Sequence, residues 1–148
     1  FCSFIISDRR AKEVAQALTK GNIRPLFARI TEPLRNEADH APCQYSDEFI
    51  LRTAVRVLIN LCTDYRWAEL GTTGFKLLPT AENAPAYAVE ITTINTEEET
   101  ADAVAQKLAA AETELKQAEE LHPLNTDAQI IRATVVFSDF EMVVLKID

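Results

Sequence analysis

The sequence predicts an α+β domain in which helices pack on an antiparallel or mixed sheet. Helical and strand-like patterns are grouped along the chain instead of strictly alternating, which favours this class over a doubly wound α/β fold. The chain has 148 residues, of which 47% are hydrophobic and 26% charged, as in ordinary globular proteins. This length is typical of one domain, so we predict a single domain over residues 1–148 with the element order β-ααα-ββ-α-ββ.

The N-terminal part of the chain predicts a strand and two helices. Residues 1–6 are bulky and apolar, which favours a short buried strand. The helix after it is expected to stop at Gly21, because glycine readily adopts the left-handed conformation that ends helices. A second helix begins at Pro25, and Pro33 should end or kink it because proline removes a backbone donor and clashes with the preceding turn.

The third predicted helix is the one that the sequence indicates most clearly as part of the core. Ser46 is a favourable N-cap, and the helix is expected to bury a wide apolar face: Phe49, Ile50, Ala54, Val57, Leu58, Leu61 and Tyr65. The stretch Gly71-Thr72-Thr73-Gly74 then breaks the helical pattern. A phosphate-binding loop would continue into Gly-Lys-Ser/Thr and a helix, so we interpret this stretch as a plain connection from helix to strand.

The second half of the chain predicts two hairpins separated by a long helix. Residues 75–78 and 87–94 form the first hairpin, and residues 130–137 and 142–147 form the second. Thr96 to Glu99 has the pattern of a capping box, which predicts a helix over residues 97–121. An alternative is that residues 86–137 form a strand, a crossover helix and a parallel strand.

This long helix contains a heptad-like apolar ridge. Seven of its residues are spaced alternately three and four apart, with small side chains at alternate turns: Ala101, Val104, Leu108, Ala111, Leu115, Ala118 and His122. A helix of 25 residues is about 38 Å long, which exceeds the ~20 Å of a typical strand. We therefore expect an interface with a second copy or another protein on this ridge, formed by Val104, Leu108, Ala111, Leu115 and Ala118. Packing on the domain's own sheet is the alternative.

A polar stripe on the third helix is the candidate binding surface. Arg52, Arg56 and Asn60 recur every four residues and therefore lie on one helix face. The planar guanidinium group of arginine suits a carboxylate or a phosphate. A solvated helix face, or ion pairing with the acidic part of the molecule, would explain the same pattern.

The positions of two acids resemble the arrangement in a metal-dependent nuclease. In such a nuclease, a helical acid and acids on a central hairpin coordinate Mg²⁺ beside a lysine. Glu69 and Glu90 would supply the acids, but the residue two positions after Glu90 is Thr92, so the lysine is absent. Arg132 and Lys146 can face the same side of the sheet as Glu90. Cross-strand ion pairing with them is the simpler interpretation.

The cysteines and histidines predict neither a disulfide framework nor a metal site. Cys2, Cys43 and Cys62 are odd in number and lack a Cys-x-x-Cys spacing, and His40 and His122 are far apart. No bound metal or cofactor is expected. A catalytic thiol at Cys43 or Cys62 is an alternative, although the apolar side of the helix on which Cys62 lies favours an inert thiol.

The charge distribution is uneven. Residues 1–36 carry a net charge of +4, so residues 37–148 carry −12 of the total of −8. The N-terminal excess is modest beside the basic stripe of nucleic-acid readers, so we expect it to pair within the fold.

We therefore expect a cytoplasmic, non-catalytic interaction domain of adaptor, chaperone or inhibitor type that self-associates as a homodimer or binds another protein. Nucleic acid and membranes are not expected partners. The alternatives are a small hydrolase or nuclease-like enzyme that uses Glu69, Glu90 or Cys43, and an anionic-ligand or nucleic-acid binder that uses the basic N-terminal helices.

Overall fold

The computed structural model describes residues 8–38 and 46–148. The described helices are α1 (Asp8–Thr19), α2 (Arg24–Ala38), α3 (Asp47–Cys62) and α4 (Ala101–Leu121), and a short 3₁₀ turn spans Thr96–Glu98. The described strands are β1 (Arg66–Leu70), β2 (Gly74–Leu78), β3 (Ala86–Thr93), β4 (Ile130–Ser138) and β5 (Glu141–Ile147). The predicted strand over residues 1–6 and the predicted connection around Cys43 lie outside the described residues.

The five strands form one mixed sheet in the order β1-β2-β3-β4-β5. Strands β3 and β4 are parallel and α4 connects them, whereas the other neighbouring pairs are antiparallel. The prediction of an α+β fold with a mixed sheet is therefore confirmed. Both predicted hairpins are also confirmed, and the crossover alternative for residues 86–137 is the arrangement observed.

Helices cover both faces of the sheet. Alternate residues of β3 point to opposite sides, so Tyr87, Val89 and Ile91 pack in the larger core with residues of α1, α2 and α3. Ala86 and Ala88 belong to the smaller core, where they meet Leu115 of α4. The central strand is buried on both faces as a result.

Two tyrosines connect α1 to the sheet. The Tyr87 hydroxyl donates to the Leu18 carbonyl at 2.5 Å. The Tyr65 hydroxyl lies 3.1 Å from the same carbonyl and 2.8 Å from the carbonyl of Pro85. Burial raises the pKa of Tyr65 to about 12, so both hydroxyls keep their protons over the physiological range. The last turn of α1 is thereby fixed above β3.

The third helix is shorter than the sequence suggests. The Ser46 hydroxyl accepts a hydrogen bond from the Phe49 backbone N–H at 3.2 Å, so the predicted N-cap is confirmed. The helix ends at Cys62 because Thr63 turns to an extended conformation, and the chain then forms β1, which the sequence did not predict.

The buried face of α3 is also rotated from the predicted one. Its buried residues are Ile50, Leu51, Ala54, Val55, Leu58 and Ile59. Phe49 and Leu61 are 46% and 76% exposed, so their predicted burial is wrong. Helix α3 is apolar over more than half of its circumference, so its sequence does not indicate which apolar stripe faces the core.

Pro33 does not end α2, which continues to Ala38. The predicted stop is therefore wrong. Leu26, Phe27 and Ile30 are fully buried in the turns before the proline. Their packing anchors the helix and offsets the roughly 3 kcal/mol that an internal proline costs.

The long helix begins four residues later than predicted, at Ala101, with Thr100 as its N-cap. Thr96 instead lies 3.3 Å from the Ser138 hydroxyl, at the end of β4. The adjacent Ile94 N–H donates to the Phe137 carbonyl. These contacts hold the segment against the sheet, so the capping-box pattern produces only a 3₁₀ turn.

We predict that Thr100→Ala lowers the free energy of unfolding by about 1 kcal/mol, because the Thr100 hydroxyl accepts from the Ala103 N–H at 3.1 Å. Thr96→Ala is the matched control and should have the smaller effect. Urea denaturation of both variants measures the difference. An unchanged free energy of unfolding in Thr100→Ala would show that this hydroxyl does not cap the helix.

Candidate functional site

A buried carboxyl group lies near the carboxyl end of β3. The Glu90 side chain points to the α4 side of the sheet, and the residue is only 2% exposed. Gly74 on the neighbouring strand provides the space: a Cβ atom there would lie 3.1 Å from Glu90 Oε2 and 2.8 Å from the Leu70 carbonyl. The glycine that the sequence places after the two threonines therefore makes room for the acid.

Thr73 and Glu114 complete the cluster around Glu90. The Thr73 hydroxyl lies 2.5 Å from Glu90 Oε1 and 3.4 Å from Glu114 Oε2, so it bridges the strand acid and an acid of α4. Within the described part of the chain, Glu90 Oε2 is buried and has no hydrogen-bond partner. One oxygen of the carboxyl group is therefore satisfied and the other is not.

Burial raises the pKa of Glu90 to about 8, and the negative charge of the nearby Glu114 acts in the same direction. The Thr73 hydroxyl and the positive charge of Arg52 oppose this rise. Desolvation disfavours the carboxylate more strongly than these two groups favour it. The Glu90 side chain is consequently mostly a neutral acid at pH 7.

The Glu69 and Glu90 side chains do not meet. Glu69 is opposite Phe75, which is opposite Val89, and side chains alternate along a strand. Glu69 therefore projects from the face that α3 covers, whereas Glu90 projects toward α4. Among the residues that the structure describes, no group of three or more His, Cys, Asp and Glu side chains is arranged to hold a metal ion.

Arg132 and Lys146 lie on the α4 side of the sheet, as expected, but they do not pair with Glu90. Arg132 Nε lies 2.8 Å from Glu119 Oε2, and Lys146 Nζ lies 2.9 Å from Glu112 Oε2. The predicted cross-strand ion pairing is therefore wrong. Helix α4 supplies the acids that bind both cations. Among the described residues, Glu90 therefore has no cation within hydrogen-bonding distance.

A groove of about 730 Å³ runs along these ion pairs, between α4 and the strands β4 and β5. Its lining mixes both charges and includes Lys116, Glu119, Arg132 and Asp148. Four acids and two cations line the groove, and two of the acids, Glu112 and Glu119, are bonded to Lys146 and Arg132.

The predicted stripe on α3 lies beside the edge strand β1. The Arg56 guanidinium carbon lies 4.8 Å from the centre of the Trp67 ring, a cation–π contact. Arg52 is half-buried one turn earlier, and Asn60 is exposed one turn later. The structure thus places all three on one side of the helix, with Trp67 beneath the central residue.

The ridge of α4 is covered at one end. Ala111 and Leu115 are buried, Ala118 is half-buried against Gly71, and Val104 and Leu108 are also half-buried. The C-terminal half of the helix therefore packs on the sheet, as the alternative interpretation required. The N-terminal half is only partly covered.

The glycine-threonine stretch is the turn of the β1–β2 hairpin, in which Leu70 pairs with Gly74. The predicted helix-to-strand connection is therefore wrong, because β1 precedes the turn. Gly71 has a φ of +68°, and a Cβ there would lie 2.9 Å from the Ala118 Cβ. The turn thus needs this glycine both for its conformation and for the close approach of α4.

Cys62 is half-buried and packs against the main core, which agrees with the structural interpretation of this thiol. Cys43 and His40 lie outside the described residues. Within the described ranges, no helix combines the length and the hydropathy needed to cross a membrane.

The chain matches no known protein-family model, and no curated protein is significantly similar to it. The candidate sites therefore depend on their geometry alone. Sequence reasoning singled out Glu90, Arg52 and Arg56 but missed Thr73, Gly74 and Glu114 as neighbours. The one available signal was a single acid inside the apolar run of β3, which indicates a buried charge in need of nearby polar groups.

We predict that Glu90→Gln changes the pH dependence of stability. In the native protein Glu90 keeps its proton up to about pH 8, whereas the unfolded chain loses it above the ordinary value of 4.5. The wild-type free energy of unfolding should therefore lose a few kcal/mol between these two pH values and level off above them. The variant lacks this loss, so its stability relative to wild type should increase as the pH rises.

Urea denaturation across pH 5 to 9 measures this difference. Glu69→Gln is the control, because it also removes one acid but from the exposed part of the other sheet face. Parallel curves for wild type and Glu90→Gln would show that Glu90 ionises as readily in the native protein as in the unfolded chain.

Proposed function

We propose that the protein is a non-catalytic interaction domain that self-associates through the first half of α4. The observation that carries this proposal is the overhang, which we define as residues 101–110. Seven of its ten residues are apolar, and none of the ten is buried. An apolar helical segment that its own domain leaves only partly covered is typical of a contact surface.

The dimensions of the helix support this proposal. Helix α4 has 21 residues and is about 32 Å long, and its buried residues are Ala111 and Leu115. The ion pairs from Glu112 and Glu119 to the sheet also lie in its second half. The overhang accounts for about 15 Å of helix without a comparable anchor.

A second copy of the chain is the partner we favour because the overhang is self-complementary. When two copies pair antiparallel about a point between Val104 and Ala105, each large residue faces a small one. Leu108 then faces Ala101, and Val104 faces Ala105. Such a contact uses the same surface on both subunits and closes as a two-fold dimer.

The contact is small, so we expect a weak dimer. A segment of ten residues buries well under the ~800 Å² per partner of a standard interface. The acids Glu97 to Glu99 precede the overhang and Asp102 lies within it, and two chains of net charge −8 repel each other. Because salt screens this repulsion, association should strengthen at high salt.

The same proposal places the protein in the cytoplasm as an adaptor, chaperone or inhibitor. Its three cysteines without paired spacing support a reducing compartment. The absence of a metal cluster among the described residues, and the placement of Glu69 and Glu90 on opposite faces, support a non-catalytic role over the enzyme alternative.

We predict that Ala105→Glu weakens self-association at least tenfold. Ala105 is exposed, so the change leaves the core intact but adds a charge at the centre of the paired overhangs. Gln117→Glu is the matched control, since it adds the same residue at an exposed position on the same helix.

Light scattering over a concentration series, at low and high salt, measures the association. Wild type and Gln117→Glu should approach twice the mass of one chain as concentration rises, and Ala105→Glu should remain a monomer. A wild-type chain that stays monomeric at the highest concentration in high salt would contradict the proposal.

A further inference from the structure

Among the residues that the structure describes, two arginines of α3 are paired with no acid, although the protein has an excess of acids. The chain contains 23 Asp and Glu residues and 15 Lys and Arg residues. Several other described cations are bound to acids, among them Arg29 to Glu13 and Arg132 to Glu119. Arg52 and Arg56 form no ion pair and no side-chain hydrogen bond among the described residues. Their positive charge is therefore available to a ligand.

Arg52 is held at the site without being neutralised. Its Nε atom is buried and has no hydrogen-bond partner within the described ranges. A buried acid that senses its charge is Glu90, whose raised pKa keeps it mostly protonated at pH 7. The guanidinium group therefore keeps an unsatisfied donor and an uncompensated charge, which is an unfavourable state for a half-buried group.

Arg56 is positioned in advance by the aromatic side chains beneath it. Its guanidinium lies 4.8 Å from the centre of the Trp67 ring. The Trp67 ring in turn stacks on Phe75, with ring centres 5.8 Å apart and planes 21° apart. Because Phe75 is fully buried, this stack is fixed to the core. A preorganised guanidinium loses less entropy when it binds a ligand.

The two arginines are one helical turn apart, so their side chains lie on the same face of α3. Asn60 continues this face by one more turn and adds an amide donor that is exposed to solvent. The two guanidinium groups together carry a charge of +2, and the planar donor set of each suits the oxygens of a phosphate.

We infer that Arg52, Arg56 and Asn60 form a binding site for the phosphate group of a small-molecule ligand at the α3–β1 edge of the domain. This site is separate from the α4 overhang, and it does not depend on the self-association proposed above. Two acids lie on this side of the sheet: Glu48, one turn before Arg52 on α3, whose Oε1 accepts hydrogen bonds from Thr93, and Glu69, two residues after Trp67 on β1. The negative charge of Glu69 opposes an anion and makes a useful test.

Trp67 is the single tryptophan of the chain and lies under Arg56, so its fluorescence reports directly on the site. The probes are inorganic phosphate, sulfate and acetate, each titrated against sodium chloride of equal ionic strength. Sulfate has the same shape and charge as the phosphate dianion and does not titrate in this range. We expect saturable changes with phosphate and sulfate in the millimolar range, and weaker ones with acetate.

Arg52→Gln should weaken phosphate and sulfate binding about tenfold, since it removes hydrogen bonds from a charged donor. Arg52→Lys keeps the charge but loses the planar donor set, so it should bind with intermediate affinity. Glu69→Gln should tighten binding severalfold. Arg132→Gln is the matched control, because Arg132 already bonds to Glu119 on the other face of the sheet. Circular dichroism verifies that each variant is folded.

The inference is overturned if phosphate and sulfate act no differently from chloride, or if folded Arg52→Gln binds as tightly as wild type. Acetate binding as strong as phosphate binding would overturn the assignment to a phosphate group. Because Glu69→Gln alters only an exposed side chain, an unchanged affinity in that variant would also contradict the site, even if the Arg52 variants fail to fold. We expect Ala105→Glu to lose self-association while its affinity for sulfate stays unchanged, because the two sites are separate.

Discussion

The burial of β3 on both faces is the constraint on which the rest of the structure depends. Helices α1 to α3 cover one face of this strand and α4 covers the other, so each of its side chains from Ala86 to Ile91 is buried. Parallel pairing of β3 with β4 requires a crossover, and α4 supplies it while sealing the second face. The small side chains of Ala86 and Ala88 suit a closely packed helix. The fold is therefore organised around one central strand.

That constraint also explains why Glu90 differs from the other acids. A carboxyl group on a doubly buried strand cannot reach bulk water, so it must remain protonated or find a partner. Arg132 and Lys146 are bonded to acids of α4, and the described polar groups beside Glu90 on this face are Thr73 and Glu114. The protonated Glu90 leaves the charge of Arg52 uncompensated at neutral pH. A feature of the core on the α4 side thus sets the electrostatics of the α3 side.

The two proposed surfaces have a common structural origin, because each belongs to an element that is only partly needed to cover the sheet. The second half of α4 is sufficient to cover the sheet beside β3, and its first half extends without burying a residue. On the opposite side, β1 is the edge strand, so α3 leaves Arg52, Arg56 and Asn60 at the margin of the core. Both surfaces lie where an element that is needed for the core continues beyond it.

The sequence by itself determined the fold class, α1, the N-cap of α3, both hairpins and the existence of a long helix before β4, because periodicity and capping act over a few neighbouring residues. It also identified Glu90 and the arginine stripe. Only the tertiary structure decided that α4 begins at Ala101, that α2 passes Pro33 and that β1 replaces the end of a helix. These outcomes depend on contacts between residues far apart in the chain, such as Thr96 with Ser138. The same holds for the partners of Arg132 and Lys146, since a strand pattern does not reveal which acids a crossover helix will bring above it.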